Sequence, residues 1–322
     1  MYQFVYLLKT IAAALITNSH FDDLYPISAM SVGGSLGNSI FFLVSGFLIS
    51  TKIDVGFFKW YLKRCMRIYP AYWVINIVYL IFGVFSISTF EEAFGRFILP
   101  IKSFWFVGAI LIFYAIFYFV IYSGEEKCTR WIILTTIVYF IAYIFFKDIS
   151  YWSIEDSGYF KFIFYFDVML FGYMIKINFK KINKIANQSR GINIIGSIIS
   201  LLCFVLLKVT MIKIPKLFYI QFLVQVITLL FSIFVFMTAV SLENILLGQI
   251  DNVLGKMLSY IADSTLEIYL VNYVVANWAK CFSFPINVIL AFVLIFGVGT
   301  SMHYFISVSM KRIVRKVRDR KR

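Results

Sequence analysis

About ten long apolar stretches divide the chain, and they constrain its fold more than any other feature. A helix needs about 20 mostly apolar residues to cross a bilayer, and in lipid only helices and closed barrels satisfy all their backbone hydrogen bonds. The stretches are continuous rather than alternating, which indicates helices. They occupy residues 4–20, 36–51, 71–88, 104–122, 131–146, 159–175, 192–212, 217–240, 259–279 and 285–309. The sequence therefore predicts an all-α fold, a polytopic membrane helix bundle with about ten transmembrane helices.

The composition agrees with a membrane protein and excludes several other classes. Of the 322 residues, 61% are hydrophobic and 14% are charged, whereas about a quarter of the residues in a soluble domain are charged. An ordinary soluble enzyme and a disordered chain are therefore excluded. The cysteines lie far apart with no C-x-x-C pattern, so neither a metal site nor a disulfide framework is expected. They are Cys65, Cys128, Cys203 and Cys281.

The net charge of +14 is interpreted as a signal of membrane orientation and not of a nucleic-acid partner. If the N-terminus is cytoplasmic, most lysines and arginines fall in cytoplasmic segments, so both termini are predicted to be cytoplasmic. Lys9 interrupts the first apolar stretch, and no cleavable signal peptide is expected. One transmembrane domain, residues 1–310, and a basic cytoplasmic tail, residues 311–322, account for the chain.

Lys9 and His20 are the ionisable residues of greatest interest in the first stretch, because ionisable groups within membrane spans are costly. Eleven residues make about three helical turns, so both lie on one helix face, about 16 Å apart along the axis. Asp22 and Asp23 follow closely, and a carboxylate can orient an imidazole and stabilise its charged form, as a general base requires. The alternative is that Lys9 reaches towards the inner interface and His20 marks the outer one.

A basic cluster follows the second stretch. Arg64 and Arg67, three residues apart, share a face if the segment is helical. Two guanidinium groups on one face can bind a phosphate or pyrophosphate in bidentate fashion. The alternative is a cytoplasmic anchor flanked by interfacial aromatic residues.

Other polar residues lie within later stretches. Asp167, Glu267 and His303 are interpreted as polar groups that hydrogen-bond across helices. Glu267 also has Asp263 and Tyr269 near it in sequence, and this face is polar enough to line a cavity. Gln225 lies four residues after a second glutamine, so both occupy one helix face.

Five segments, in order along nearly the whole chain, resemble the integral-membrane acyltransferase 3 family. The family's opening helix resembles LKTIAAA at 8–14, with its terminal histidine at His20. The other four are FFLVSGFLI at 41–49, the R-x-x-R segment RCMRIYPAYW at 64–73, SFWF at 103–106, and residues 255–260 followed by Ile-Tyr-Leu at 268–270, which resemble the family's penultimate helix. The chain departs from the family in having Lys9 in place of arginine, Tyr6 in place of an acidic residue, and Asn272 in place of a histidine.

The resemblance implies transfer of an acyl group, most often acetyl, from acyl-CoA to a hydroxyl of a cell-surface or exported glycan. The modified glycan would be lipopolysaccharide O-antigen or capsule, and the enzyme would lie in a bacterial plasma membrane. Acyl-CoA is a substrate, no tightly bound cofactor or metal is implied, and the acceptor is a glycan or lipid-linked glycan.

The resemblance and the residue chemistry together assign candidate roles. The donor's phosphates are expected to bind Arg64 and Arg67, with Lys9 along its path. His20 serves as general base or transient acyl carrier, oriented by Asp22 or Asp23. Further cavity candidates are Trp105, Glu267 and Tyr269.

Two other functions fit the same sequence. A glycan polymerase or flippase has a similar number of spans but needs no CoA. A transporter would use the face of Lys9 and His20 as its pathway, although neither broken helices nor inverted repeats are evident in the sequence.

Overall fold

The computed structural model describes residues 2–101, 104–146, 148–155, 158–248 and 252–319. Ser103 of the fourth resembling segment and residues 320–322 of the basic tail lie outside these ranges. The described part contains fourteen α-helices and no strand, which confirms the all-helical prediction. They are α1 (Gln3–Asn18), α2 (Gly34–Leu48), α3 (Phe57–Ile81), α4 (Phe90–Phe97), α5 (Trp105–Tyr122), α6 (Cys128–Phe145), α7 (Phe160–Ile177), α8 (Phe179–Gln188), α9 (Arg190–Lys213), α10 (Gln221–Ser241), α11 (Glu243–Leu247), α12 (Val253–Asp263), α13 (Thr265–Ala279) and α14 (Ile286–Asp319).

Among the described residues, six segments are long and apolar enough to cross a membrane by themselves. Two of them join a short 3₁₀ helix to the following α-helix, namely Ser28–Leu48, which ends with α2, and Glu125–Phe145, which ends with α6. The other four are α5, α9, α10 and α14. A seventh candidate is the pair α7 and α8, which is bent by 91° at the residue between them. The other predicted stretches overlap α1, α3 and α13. Because α1 has 16 residues and α13 has 15, both are shorter than a full span. The count of ten spans and the cytoplasmic termini stay predictions.

Two boundaries differ from the predicted stretches, and both differences come from polar residues. The third stretch, 71–88, misses the start of α3, which begins at Phe57 because the basic segment is itself helical. The ninth stretch, 259–279, spans a break between α12 and α13 at Ser264, beside Asp263 and Thr265. Such short polar side chains compete for backbone hydrogen bonds in helices. At the C-terminus, α14 continues past residue 310, so the proposed boundary of the tail coincides with no helix end.

The described residues form two compact units. The first comprises residues 1–52 and 120–262, and the second comprises residues 53–119 and 263–322.

In the first unit, α2 packs against α1, α7 and α10. Two glycines allow α2 and α7 to cross closely. A Cβ atom on Gly46 would overlap the backbone carbonyl of Met169, and one on Gly172 would overlap that of Leu43. At the start of α1, the Glu243 carboxylate accepts hydrogen bonds from the first backbone N–H groups of the helix. These contacts fix α1 at one end and α2 along its length.

In the second unit, α13 packs against α14 and α3. Three aromatic side chains of α3 hold the end of α4. The hydroxyls of Tyr69 and Tyr72 and the indole N–H of Trp73 donate to the backbone carbonyls of residues 98, 96 and 97. Carbonyls at the end of a helix have no partner within the helix, so these donors stabilise the short α4 against α3.

Candidate functional site

His20 lies two residues beyond the end of α1, in a loop that is fastened to that helix by Asn18. The Asn18 amide donates to the carbonyl oxygens of Met30 and Val32, at 2.9 and 2.8 Å. Its own carbonyl accepts a 2.5 Å hydrogen bond from the Tyr25 hydroxyl. These bonds connect the middle and the end of the loop to one side chain at its start, so His20 is held on a constrained segment. Asn18 was not predicted as a site residue, because its partners follow from the path of the loop.

The His20 backbone N–H donates to the carbonyl of Thr17 at 3.1 Å, and its ring retains exposed surface. The protein atoms around it nevertheless remove enough water to disfavour the charged imidazole, so the pKa of His20 is lowered from 6.5. At neutral pH the ring is therefore mostly uncharged, which is the form that accepts a proton.

Asp22 and Asp23 lie in the same loop, and both are exposed. Asp22 accepts a hydrogen bond from the Ser31 hydroxyl across the loop. That contact contributes to the loop structure, and the role of either carboxylate in orienting His20 stays a prediction.

The side chain of Lys9 contacts the end of another helix. Its Nζ donates to the carbonyl oxygen of Ala262, near the C-terminus of α12, at 2.8 Å. A cation is favourable there because the last carbonyls of a helix carry partial negative charge. Ala13 and Thr17, on the same face of α1 as Lys9, are buried. This face of α1 is packed within the protein, and the Lys9 ammonium already has the Ala262 carbonyl as a hydrogen-bond acceptor. Binding of acyl-CoA by Lys9 stays a prediction.

The second unit contains the two arginines, and α3 places them on one helical face, as expected if that segment is helical. The guanidinium of Arg64 lies over the rings of Trp60 and Tyr114, 4.9 and 5.5 Å from their centroids. Such stacking orients the planar group while leaving its N–H edge available to an anion. Arg67 is exposed.

Tyr269 belongs to an aromatic cluster. Its ring lies 6.1 Å from that of Phe104 and 5.3 Å from that of Phe106, measured between centroids. Trp105, between those two phenylalanines, is half-buried and also contacts Phe106. The aromatic start of α5 therefore packs against α13, and the role of Trp105 and Tyr269 as cavity residues stays a prediction.

Glu267 is paired with His303, a contact that the sequence does not predict. The Glu267 Oε1 atom lies 3.0 Å from Nδ1 of His303, and Glu267 is only 5% exposed. Its other oxygen is buried without a hydrogen-bond partner among the described residues. The two residues lie on successive packed helices, α13 and α14; the sequence indicates hydrogen bonds across helices for each of them, but not that they are partners.

The predicted residues thus fall into two groups. The first unit contains Lys9, His20, Asp22 and Asp23; the second contains Arg64, Arg67, Trp105, Glu267 and Tyr269. Across the described ranges, no three histidine, cysteine or acidic residues come close enough to hold a metal ion.

The chain matches a known protein family over most of its length. The family model Acyl_transf_3, described as an acyltransferase domain, matches residues 2–308, nearly the whole chain. No curated protein and no solved structure is significantly similar to the chain. The family and the apolar helices together indicate an integral membrane protein with acyltransferase activity. A match of this extent shows that the chain belongs to the acyltransferase 3 family.

Proposed function

We propose that the protein is a membrane O-acyltransferase that moves an acetyl group from acetyl-CoA to a hydroxyl of a cell-surface or exported glycan. The observation that carries the reaction class is the match of an acyltransferase domain to residues 2–308. The protein lies in a bacterial plasma membrane in this proposal, and its acceptor is a free or lipid-linked glycan. The acetylated glycan becomes part of O-antigen or capsule.

The proposed chemistry begins at His20. Its neutral ring removes the proton of the acceptor hydroxyl as the oxygen attacks the thioester carbonyl. A C–O bond forms, the C–S bond breaks, and the CoA sulfur leaves as a thiol after it receives a proton. In the alternative route, the ring nitrogen attacks the thioester first, and the C–S bond breaks to release CoA as a thiol. The acceptor oxygen then attacks the acyl-histidine, its proton is lost, and the C–N bond breaks to restore the ring. The lowered pKa of His20 supports either role, because both need an uncharged nitrogen.

The donor is proposed to bind through its phosphates to Arg64 and Arg67. Guanidinium groups form paired, charge-assisted hydrogen bonds with phosphate oxygens. Stacking on Trp60 and Tyr114 supports this role, because it already restricts the Arg64 side chain and so lowers the conformational entropy that is lost on binding.

Release of free CoA by the purified protein tests the proposal. Acetyl-CoA is supplied with and without surface glycan from a strain that lacks the gene, and the thiol is measured with a chromogenic reagent. We expect release that depends on the glycan, and a glycan that gains the mass of an acetyl group. Glycans of unchanged mass, with CoA release no faster than in protein-free controls, would refute an acetyl transferase; a polymerase, flippase or transporter predicts that result.

Replacing either arginine should weaken binding of the donor. We expect Arg64→Ala and Arg67→Ala each to raise the KM for acetyl-CoA by about 10- to 100-fold, with little change in kcat. A hydrogen bond to a charged group contributes about 1.5–3 kcal/mol, which corresponds to that range. Initial rates across donor concentrations measure the effect. Lys63→Ala removes an exposed positive charge from the same helix and serves as the control; an equal rise in its KM would assign the effect to general charge.

Removing the hydrogen bonds that Asn18 makes to the loop should slow the acyl transfer step. We expect Asn18→Ala to lower kcat by about tenfold without changing the KM for acetyl-CoA, because His20 is no longer held in one position. Saturating rates of the purified variant provide the measurement. Asn187→Ala, at an exposed asparagine of α8, is the control, and a normal kcat for Asn18→Ala would contradict a positioning role.

A further inference from the structure

A cavity of about 490 Å³ lies in the first unit, and the proposed reaction does not use it. Its walls come from α6, α7, α10 and the segment between α6 and α7. The lining is mainly aromatic and includes Tyr139, Tyr143, Trp152, Phe164 and Phe222. Its volume falls within the range of about 300–1,000 Å³ that is typical of small-molecule pockets.

The cavity opens on an apolar face. Three of its lining residues, Phe140, Ile144 and Val226, are 61%, 74% and 48% exposed. They belong to α6 and α10, both of which are candidate membrane spans. Exposed apolar side chains on a span contact lipid, so a molecule dissolved in the bilayer has a direct path into the cavity.

One of the two main polar groups in the wall is already occupied. Gln225 Oε1 accepts hydrogen bonds from the Tyr139 and Tyr143 hydroxyls, and its Nε2 donates to the Trp152 carbonyl at 2.8 Å. This network connects α10 to α6 and to the segment after it. Gln225 therefore stabilises the cavity wall and is not the group that would select a ligand.

The second polar group, Asp167, has acceptor capacity left. Its carboxylate contacts the hydroxyls of Thr135 and Thr136, one at each oxygen. A carboxylate can accept about four hydrogen bonds, so these two contacts leave room for a ligand. A carboxylate within a span is costly and typically marks a functional position.

We propose that this cavity binds a membrane-resident amphiphile with a single apolar chain and a head group that donates hydrogen bonds to Asp167. The aromatic walls accommodate the chain, and the carboxylate selects a hydroxyl or an ammonium group. Both heads share the required chemistry, since each donates to an acceptor. A carboxylate or phosphate head carries acceptors in place of donors and does not match the acceptor oxygens of Asp167. This site requires no CoA chemistry, so it stands independently of the proposed acyl transfer.

Photolabelling of the purified protein in nanodiscs tests the site. The probes are a long-chain alcohol, a long-chain primary amine and a fatty acid, each with a diazirine at the same chain position. Mass spectrometry of peptides from α6, α7 and α10 locates the label. We expect the alcohol or the amine to label these peptides at least tenfold more than the fatty acid. The stronger of the two identifies the head group; equal labelling by all three would overturn the proposal.

Two neighbouring residues of α10 provide a matched pair of variants. Leu229 lines the cavity, whereas Leu230 is exposed outside it. We expect Leu229→Trp to reduce labelling by the preferred probe about tenfold, and Leu230→Trp to leave it unchanged. Asp167→Leu should abolish the preference over the fatty acid. Labelling that survives in Leu229→Trp would show that the probes bind elsewhere and would refute the site, whatever the outcome of the CoA assay.

Discussion

We expect the His20→Ala variant to lose acyl transfer, with kcat lowered at least about a thousandfold, while the protein remains folded in the membrane. General base catalysis contributes about 10²- to 10⁴-fold, and loss of an acyl carrier would remove one route entirely. The loop is held by hydrogen bonds from Asn18, so replacement of the His20 ring leaves those hydrogen bonds in place. Glycan-dependent CoA release and the elution profile of the purified variant provide the two measurements.

The pH dependence gives a second test of the same residue. A base works only when it is unprotonated, and desolvation lowers the pKa of His20 from 6.5. Activity should therefore be constant near neutral pH and fall only as the pH drops below 6.5 through the lowered pKa. The residual activity of His20→Ala should lack this acid limb.

The control for His20 is Ile27→Ala, in the same loop, where the side chain is 63% exposed. It should retain normal rates. Incubation with radiolabelled acetyl-CoA in the absence of acceptor distinguishes the two routes. Label on the wild-type protein but not on the His20→Ala protein indicates an acyl-histidine. If neither protein is labelled, the acyl group is transferred directly. Normal transfer by His20→Ala would contradict both routes.

The helices were predictable because lipid leaves the backbone few alternatives. Each of the ten apolar stretches overlaps a helix, since a segment in lipid must satisfy its hydrogen bonds internally. The start of α3 was not predictable from apolarity, because its first half includes the basic residues that hydropathy excludes. Likewise, the 91° bend after α7 lies beyond the end of the stretch 159–175, where the fall in hydropathy indicates the end of an apolar segment but not the direction of the helix that follows.

Candidate site residues could be chosen from the sequence where the chemistry depends on residue type and spacing. Lys9 and His20 stand out because ionisable residues are rare in apolar segments, and the arginine pair stands out by its three-residue spacing. The bond from Lys9 to Ala262, the pair of Glu267 with His303 and the cavity beside Asp167 join distant parts of the sequence. These contacts depend on which helices become neighbours, and a single sequence does not specify helix neighbours.

The second large effect concerns the crossing of α2 and α7. We expect Gly172→Ala to prevent stable folding of the first unit, at a cost of about 3 kcal/mol or more, the upper end for overpacking. A Cβ atom at this position overlaps the backbone carbonyl of Leu43, and a backbone atom moves only if the two helices separate. Close approach through small residues is a main source of helix association in membranes, so separation loses contacts along both helices. Membrane yield and the temperature at which the purified protein aggregates measure the loss.

Gly46 lies on the opposite helix of the same crossing, against the carbonyl of Met169. Gly46→Ala should therefore behave like Gly172→Ala. The double variant should lose less folding free energy than the sum of the two single losses, because the first substitution already separates the helices.

Gly191→Ala is the matched control, since no atom lies within 4 Å of a Cβ atom built there. Alanine is favoured over glycine in helices by about 0.5–1 kcal/mol, so this control should be neutral or more stable. A Gly172→Ala protein as stable as the Gly191→Ala protein would show that α2 and α7 do not approach so closely.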